Sequence, residues 1–304
     1  MATMPKPFVT HETSHEYHAE ANVLHGHLKL PLNQEIHQQV PVLLKDRRGG
    51  HFFQRAEHYS LEGLISFESG YTRVSGNRSL KNHGWVTLAT SVLEGLNVLD
   101  VITADRMVAQ VSTEHPLENG HVPHVTFLGT HFENLRVGGY PVEVELDLGI
   151  CGEKPKGDTP YTEDPGFLDR IERQCASIAS APGLPTALRA EYDEELKQIA
   201  EIRNGNGSGK GEGKPPKLGC TLVKSISPIP IAKSYGNVLE IPGFGAVLLA
   251  AVEVGSLAKA GASAQAGDKA GNYFNLTMLQ MRMGCIGDGK VSAGNASTNG
   301  GTRP

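Results

Sequence analysis

Apolar and polar positions alternate with period two through much of the first half of the chain. In YPVEVELDLGI, Val142, Val144, Leu146 and Leu148 interleave with Glu143, Glu145 and Asp147, the pattern of a strand with one dry and one wet face. RVGGYP precedes it, and Gly138–Gly139 supplies the backbone freedom of a tight turn, so Phe127–Val137 and Pro141–Ile150 are expected to form a hairpin. GWVTLATSV, NVLDVIT and RMVAQVST are rich in β-branched residues and are broken by Gly95 and Asp105, which predicts three more strands. Val92, Leu96 and Leu99 also fit a helical stripe, so 91–103 carries a competing helical reading. NVLHGHLKLPL and EGLISFESGYTRV supply two earlier strands.

The period then changes. DPGFLDRIERQCASIAS offers Asp164 as an N-cap and Pro165 at the first helical position, with Phe167, Leu168, Ile171, Cys175 and Ile178 on one face. LPTALRAEYDEELKQIAEIRN opens at Pro185 and carries the stripe Leu188, Tyr192, Leu196 and Ile199, so residues 161–204 predict a helical hairpin. NGNGSGKGEGKPPK is too polar and glycine-rich to order itself. Strand character returns in CTLVKSI, NVLEIPGFGAVLLAAVEV and NYFNLTMLQMRMGCI. The fold class expected is mainly β, an antiparallel β-sandwich or β-barrel-like domain interrupted by a helical hairpin insertion. Its expected divisions are a flexible polar N-terminus (1–20), a first β part (21–160), the hairpin (161–204), a disordered linker (205–217), a second β part (218–287) and a flexible tail (288–304).

Composition narrows the function classes. The 304 residues, 39% of them apolar, suffice for one sizeable core with an appended subdomain. A net charge of −5 without long basic runs excludes the electrostatic footprint of a nucleic-acid binder. No apolar run is long enough for a transmembrane helix, and MATMPKPFVTHETSH lacks the apolar core of a signal peptide, which points to the cytoplasm. Cys151, Cys175, Cys220 and Cys285 form no C-x-x-C and are expected to be core thiols.

SFESGYTRVSG, GWVTLATSVLEGLNVLDVITADRMVAQVST, VTFLGTHFENLRVGGYPVEV, EIPGFGAVLLAAVEV and LTMLQMRMGCIGDGKVSAGNAST, in this order, resemble the bacterial choice-of-anchor P family. The shared pattern runs from an ITAD-type strand through an L-x-V/I-x-G-x-P-V hairpin and an IPGxG-x-V strand to a final strand of glycines and small residues. It leaves out residues 1–20 and the helical hairpin. The resemblance implies a β-rich, exported, surface-associated protein without assigned catalysis, and so an extracellular or cell-surface location. It carries over no functional residues. The chain departs from that family in lacking an export signal and a C-terminal anchor.

HETSHEYH places His11, Glu12 and His15 at H-E-x-x-H spacing, with His18 beyond. In a zinc hydrolase the two histidines sit one helical turn apart on the metal and the glutamate activates water. Here Thr13, Ser14, Glu16 and Tyr17 leave no apolar stripe to bury, Pro5 and Pro7 precede, and no H-x-x-G-x-x-H continuation exists. The motif is read as a polar N-terminal strand; zinc on these histidines, with Glu12 catalytic, is the competing expectation. His25 and His27 share one strand face, and His121, His124 and His131 are the set that one hairpin could gather on a metal. NGNGSGKGEGK fails the phosphate-loop pattern, because position 204 is Asn204 and Gly211 follows Lys210. Glu143, Glu145 and Asp147 form the wet face of a strand, and no G-x-S-x-G elbow is present. The function expected is that of a non-enzymatic, β-rich structural or interaction protein without a cofactor. Its expected partner is a second copy paired through edge strands, or an unknown protein or surface ligand. A metal-dependent hydrolase and a ligand-binding β domain are the alternatives.

Overall fold

The computed structural model describes residues 14–30, 32–79, 84–116, 122–157, 159–204, 217–256, 272–284, 289–299 and 301–303. The chain opens with β1 (Ser14–Leu28), β2 (Gln34–Gln39), β3 (Val42–Asp46), β4 (Gly50–Leu61), β5 (Ile65–Ser79), β6 (Gly84–Val98) and β7 (Ile102–His115). Short strands β8 (His124–Thr126), β9 (His131–Glu133), β10 (Arg136–Val137), β11 (Tyr140–Pro141) and β12 (Val144–Leu146) lead to helices α1 (Pro165–Ala179) and α2 (Thr186–Arg203). Then come β13 (Lys217–Thr221), β14 (Val223–Ile226), β15 (Lys233–Tyr235), β16 (Val238–Ile241), β17 (Gly245–Ser256), β18 (Asn272–Met283), β19 (Gly289–Asn299) and β20 (Gly301–Arg303).

These strands form two antiparallel sheets. The larger runs β15-β16-β17-β18-β19-β1-β2, with β13 on β17 and β3 and β20 on β1. The second runs β11-β10-β7-β6-β5-β4, with β8 and β9 on β7, and β12 pairs separately with β14. β1 packs on β5 and β6, and β19 on β6 and β7, so one core lies between the sheets. Ser91 Oγ donates to the Asn22 carbonyl at 2.9 Å, a buried bond from one sheet to the other. The fold is therefore the mainly β, sandwich-like arrangement with a helical insertion. Asp164 caps α1 as expected, its Oδ2 accepting from the Phe167 amide at 2.8 Å. The α1 face from Phe167 to Ile178 is buried, and Tyr161 ties the insertion down by edge contacts with Phe167 and Phe274.

Several expected boundaries change. Residues 14–20 are not a flexible tail but the start of β1, paired with β3 and β20. The stretch from 289 is likewise an interior strand, because β19 lies between β18 and β1, where its small residues pass in a crowded layer. The three strands expected across 84–115 are two, and 91–103 is not helical. The chain reverses at Leu99 and Asp100 (φ 53° and 55°), with Asn97 side-chain bonds closing the turn, whereas Gly95 and Asp105 lie inside strands. The Gly138–Gly139 hairpin is confined to β10 and β11, since β12 turns away to β14. Lys217 opens β13; residues 205–216 and 257–271, covering most of two glycine-rich stretches, lie outside the described residues.

In-and-out alternation is inverted along a line that crosses four neighbouring strands of the larger sheet. Leu249 and Ala250 in β17, Met278 and Leu279 in β18, Ala293 and Gly294 in β19, and Val23 and Leu24 in β1 are consecutive pairs that both lie buried. Register is unbroken across the line: Leu249 pairs Leu279 on one side, and Ala251 pairs Thr277 on the other. Inversion without a register slip requires every strand to change phase together, since one slipping alone would turn its apolar set toward water. Ala250 (φ 44°) and Gly294 (φ 65°) make the turn on alternate strands. The second sheet has a matching line through His58 (φ 56°), Glu68, Gly95 (φ 65°) and Asp105.

Gly294 has no room to spare, because a Cβ there would lie 3.1 Å from the Met278 side chain, whereas one at Gly63 (φ 70°) meets nothing. Gly294→Ala is expected to cost about 3 kcal/mol and Gly63→Ala about 1 kcal/mol, from left-handed strain in both and crowding in the first alone. Urea denaturation of the two variants measures the difference.

Candidate functional site

The outer face of the larger sheet divides at the β17–β18 boundary. Outward positions of β17 are apolar at Ala246, Leu248 and Ala251 and end in the acidic Glu253; α1 and α2 lie over the apolar part, with Ile178, Leu184 and Leu188 packed against Tyr235, Val238 and Leu248. From β18 onward the outward positions turn polar. Antiparallel register sets Asn275 opposite Ser297, Thr277 opposite Asn295, Gln280 opposite Ser292 and Arg282 opposite Lys290. The rows continue onto β1 as Asn22, His25 and His27, and onto β2 as Glu35 beside His27. The insertion covers the apolar columns and leaves the polar ones open.

Two concavities lie side by side on this floor. A cleft of about 320 Å3 beside α2 is lined by Cys175, Tyr192, Glu195, Cys220, Glu253 and Arg282 among others. An open trough of about 930 Å3 runs on across β18, β19, β1 and β2, lined by His25, His27, Glu35, His37, Ser292 and Asn295. Glu253, Asn275, Thr277, Gln280 and Lys290 belong to both.

The floor contains one row whose hydrogen bonding is satisfied internally and groups whose capacity is unused. Asn295 Nδ2 donates to Asn22 Oδ1 at 3.0 Å, Thr277 Oγ1 donates to Asn295 Oδ1 at 3.0 Å, and His25 Nδ1 lies 2.9 Å from Asn22 Oδ1. These contacts span the phase-change line and tie three strands together. Burial, with Lys290 adding to it, holds the His25 pKa below its ordinary value. By contrast the side chains of Asn275, Gln280, Ser292 and Lys290 make no hydrogen bond or ion pair among the described residues. Ser292 is 6% exposed, so its hydroxyl is presented from a nearly closed position. Arg282 is already held by Glu191 at 2.5 Å and Lys217 by Glu253 at 3.0 Å, whereas Lys290 makes no ion pair among the described residues.

The groups that could supply catalysis are muted. Burial pushes the Cys151 and Cys175 thiols up to about 12, so neither is a nucleophile near neutral pH. Glu195 accepts from the Gly219 amide at 3.1 Å, and burial raises its pKa, but no hydroxyl or imidazole among the described residues is hydrogen-bonded to it.

The sequence candidates do not converge. His11, Glu12 and His121 lie outside the described residues. His15 and His18 are on a strand, not a helix, so they project to opposite faces. His15 is 3% exposed, stacked on Trp85 at 5.2 Å with Tyr17 and His115 within 5 Å of its ring centre, where Arg78 lies over Trp85. His124 pairs with Glu114 and His131 with Val108, six residues apart on β7, or about 20 Å. His131 is bound to Glu133 at 2.8 Å in an ion-pair chain that runs through Arg106 to Glu94. No group of three His, Cys, Asp or Glu side chains suited to a metal is present among the described residues. The trough residues on β18 and β19 were missed; the available signal was the Asn-Thr-Gln-Arg alternation in NYFNLTMLQMRM, interrupted at Met278–Leu279.

A family model described as Domain of unknown function (DUF8256) matches residues 15–255. No curated protein and no solved structure matches the chain. Among the described residues no helix is long and apolar enough to cross a membrane.

Burial lowers the His15 pKa from 6.5 to about 4. Between those values the unfolded chain takes up a proton that the folded chain refuses, so stability is full above pH 6.5 and falls as the pH drops to 4. The loss is about 3 kcal/mol. Chemical denaturation across this range is expected to show a profile flatter by that amount in His15→Phe than in the unaltered chain.

Proposed function

The chain belongs to the DUF8256 family, and from that footing we propose that it is a non-enzymatic binding protein whose open sheet face holds an acidic, polyhydroxylated ligand, an acidic sugar. The observation that carries this reading is the unspent set on the trough floor: the Lys290 ammonium, the Gln280 and Asn275 amides and the Ser292 hydroxyl, beside His25 and His27. A carboxylate on the ligand pairs with Lys290, which makes no ion pair among the described residues. Amides, a hydroxyl and imidazoles both donate and accept, which suits a chain of ligand hydroxyls. The trough lining contains no Phe, Tyr or Trp among the described residues, so affinity comes from hydrogen bonds and charge rather than from stacking on a large ring.

The high thiol pKa values support binding rather than chemistry, as does the lack of a nucleophile–base pair among the floor residues. An internally wired row under the site also fits binding. Asn22, Asn295 and Thr277 fix the backbone beneath the free groups, so little order has to be imposed when a ligand arrives.

Titration calorimetry with a glucuronate-containing oligosaccharide and a neutral oligosaccharide of equal length tests the reading. The acidic probe is expected to bind more tightly, and Lys290→Glu is expected to weaken it at least about tenfold, the loss of one charge-assisted hydrogen bond. Equal binding of both probes, or affinity indifferent to Lys290→Glu, would overturn it.

A further inference from the structure

β4 ends the second sheet, and its far edge meets no other strand among the described residues. Nearly every side chain along its twelve residues is exposed or half-exposed, on both faces. Phe52 is 51% exposed and Phe53 55%, and as neighbours in a strand they point to opposite sides. A partner resting on either face would cover one ring and leave the other in water. A strand added to the edge runs beside both.

The charges on β4 say which strand fits. Arg55 and Glu57 share the outer face, with Nη2 of Arg55 3.0 Å from Oε1 of Glu57. An antiparallel copy centred on Ala56 sets Arg55 opposite Glu57 of the second copy, and Glu57 opposite Arg55 of the second copy. The two pairs within chains and the two between them close a ring of alternating sign. A two-fold axis through Arg55 or through Glu57 instead places like charges opposite each other, which disfavours those registers. At His58 the backbone enters the left-handed region, which ends regular pairing and keeps the contact short.

We propose that the β4 edge is a docking surface for a second copy of this chain, paired antiparallel with Ala56 facing Ala56, so that the second sheets of two molecules join into one. The contact is isologous and closes on itself, giving a dimer rather than a fibre. No residue lining the trough lies on β4, so the proposal stands apart from the ligand reading.

Light scattering of the full chain over a concentration series tests it. The unaltered protein is expected to dimerise. Arg55→Glu is expected to weaken association about tenfold or more by setting acid against acid. Arg55→Glu with Glu57→Arg rebuilds the alternating ring and restores the dimer; mixing the two single variants, neither of which keeps the pair within its own chain, is expected to give a heterodimer, a recovery that a merely structural effect of either change would not give. Under mild oxidation with glutathione disulfide, Ala56→Cys is expected to give a covalent dimer. A monomer at every concentration, a dimer indifferent to Arg55→Glu, or no recovery in the double variant overturns the edge contact. Failure of Ala56→Cys to cross-link in a dimer overturns the register.

Discussion

The larger sheet depends on neighbouring strands changing phase on the same line. A strand buried on one face tolerates no private slip, because the side-chain period of two would carry its whole apolar set into water. The line through Val23, Gly294, Met278 and Ala250 resolves this by inverting four strands together. Leu249, Met278, Leu279, Val23 and Leu24 are all fully buried there, so the double inward step is filled with side chains rather than left as a void. Keeping register across the line also lets outward residues from separate rows meet, as when Asn22 and His25 come into contact three positions apart.

The same inversion organises the functional face. Each strand presents a different outward set above and below the line, and β17, β18, β19 and β1 do so in step. On β17 that set is apolar from Ala246 to Ala251, where the helical insertion lies over it, and turns polar at Glu253; on β18, β19 and β1 it is polar and stays open. The trough thus follows from where the insertion stops. Its floor also separates two uses of polar groups. One row is consumed in holding strands together, where a half-satisfied network would be costly. The next row leaves amides, a hydroxyl and an ammonium for something else.

The sequence made the strands, the helical hairpin and the Asp164 cap legible, because each rests on a local rule: alternation, a 3.6-residue stripe, a capping side chain. What it concealed was non-local. Gly95 looks like a strand break, yet it marks a phase change that is visible only when Glu68 and Asp105 lie beside it. VSAGNAST looks like a loose tail because its residues are small, although small residues are what an interior strand between β18 and β1 requires at a crowded line. HFFQRAEHYS hides its strand character by lacking a consistent dry face, which is what a wet edge strand looks like. The H-E-x-x-H spacing specifies a metal only on a helix; its second histidine, His15, lies on strand β1, where His18 three residues on projects to the other face, and His11 and Glu12 lie outside the described residues.

Edge and trough answer different physical problems, and their combination has a consequence of its own. A sheet edge is a row of unpaired backbone groups, and among the described residues no strand covers the far edge of β4, nor does β4 carry a run of one sign of charge to repel a copy. Its charges instead alternate within two residues, Arg55 against Glu57, which is the smallest pattern that is complementary to itself under a two-fold axis. Joining two molecules through the second sheet occupies neither trough, since every trough residue belongs to the larger sheet or its neighbouring strands. A dimer built this way presents two polar floors at a fixed separation. For a short ligand that arrangement adds nothing. For a ligand that repeats along its length, the second binding event becomes intramolecular, and the single-site contacts of an open trough are multiplied. The proposed trough ligand and the proposed edge contact are therefore compatible with each other, and a ligand that repeats along its length is the one that would use both.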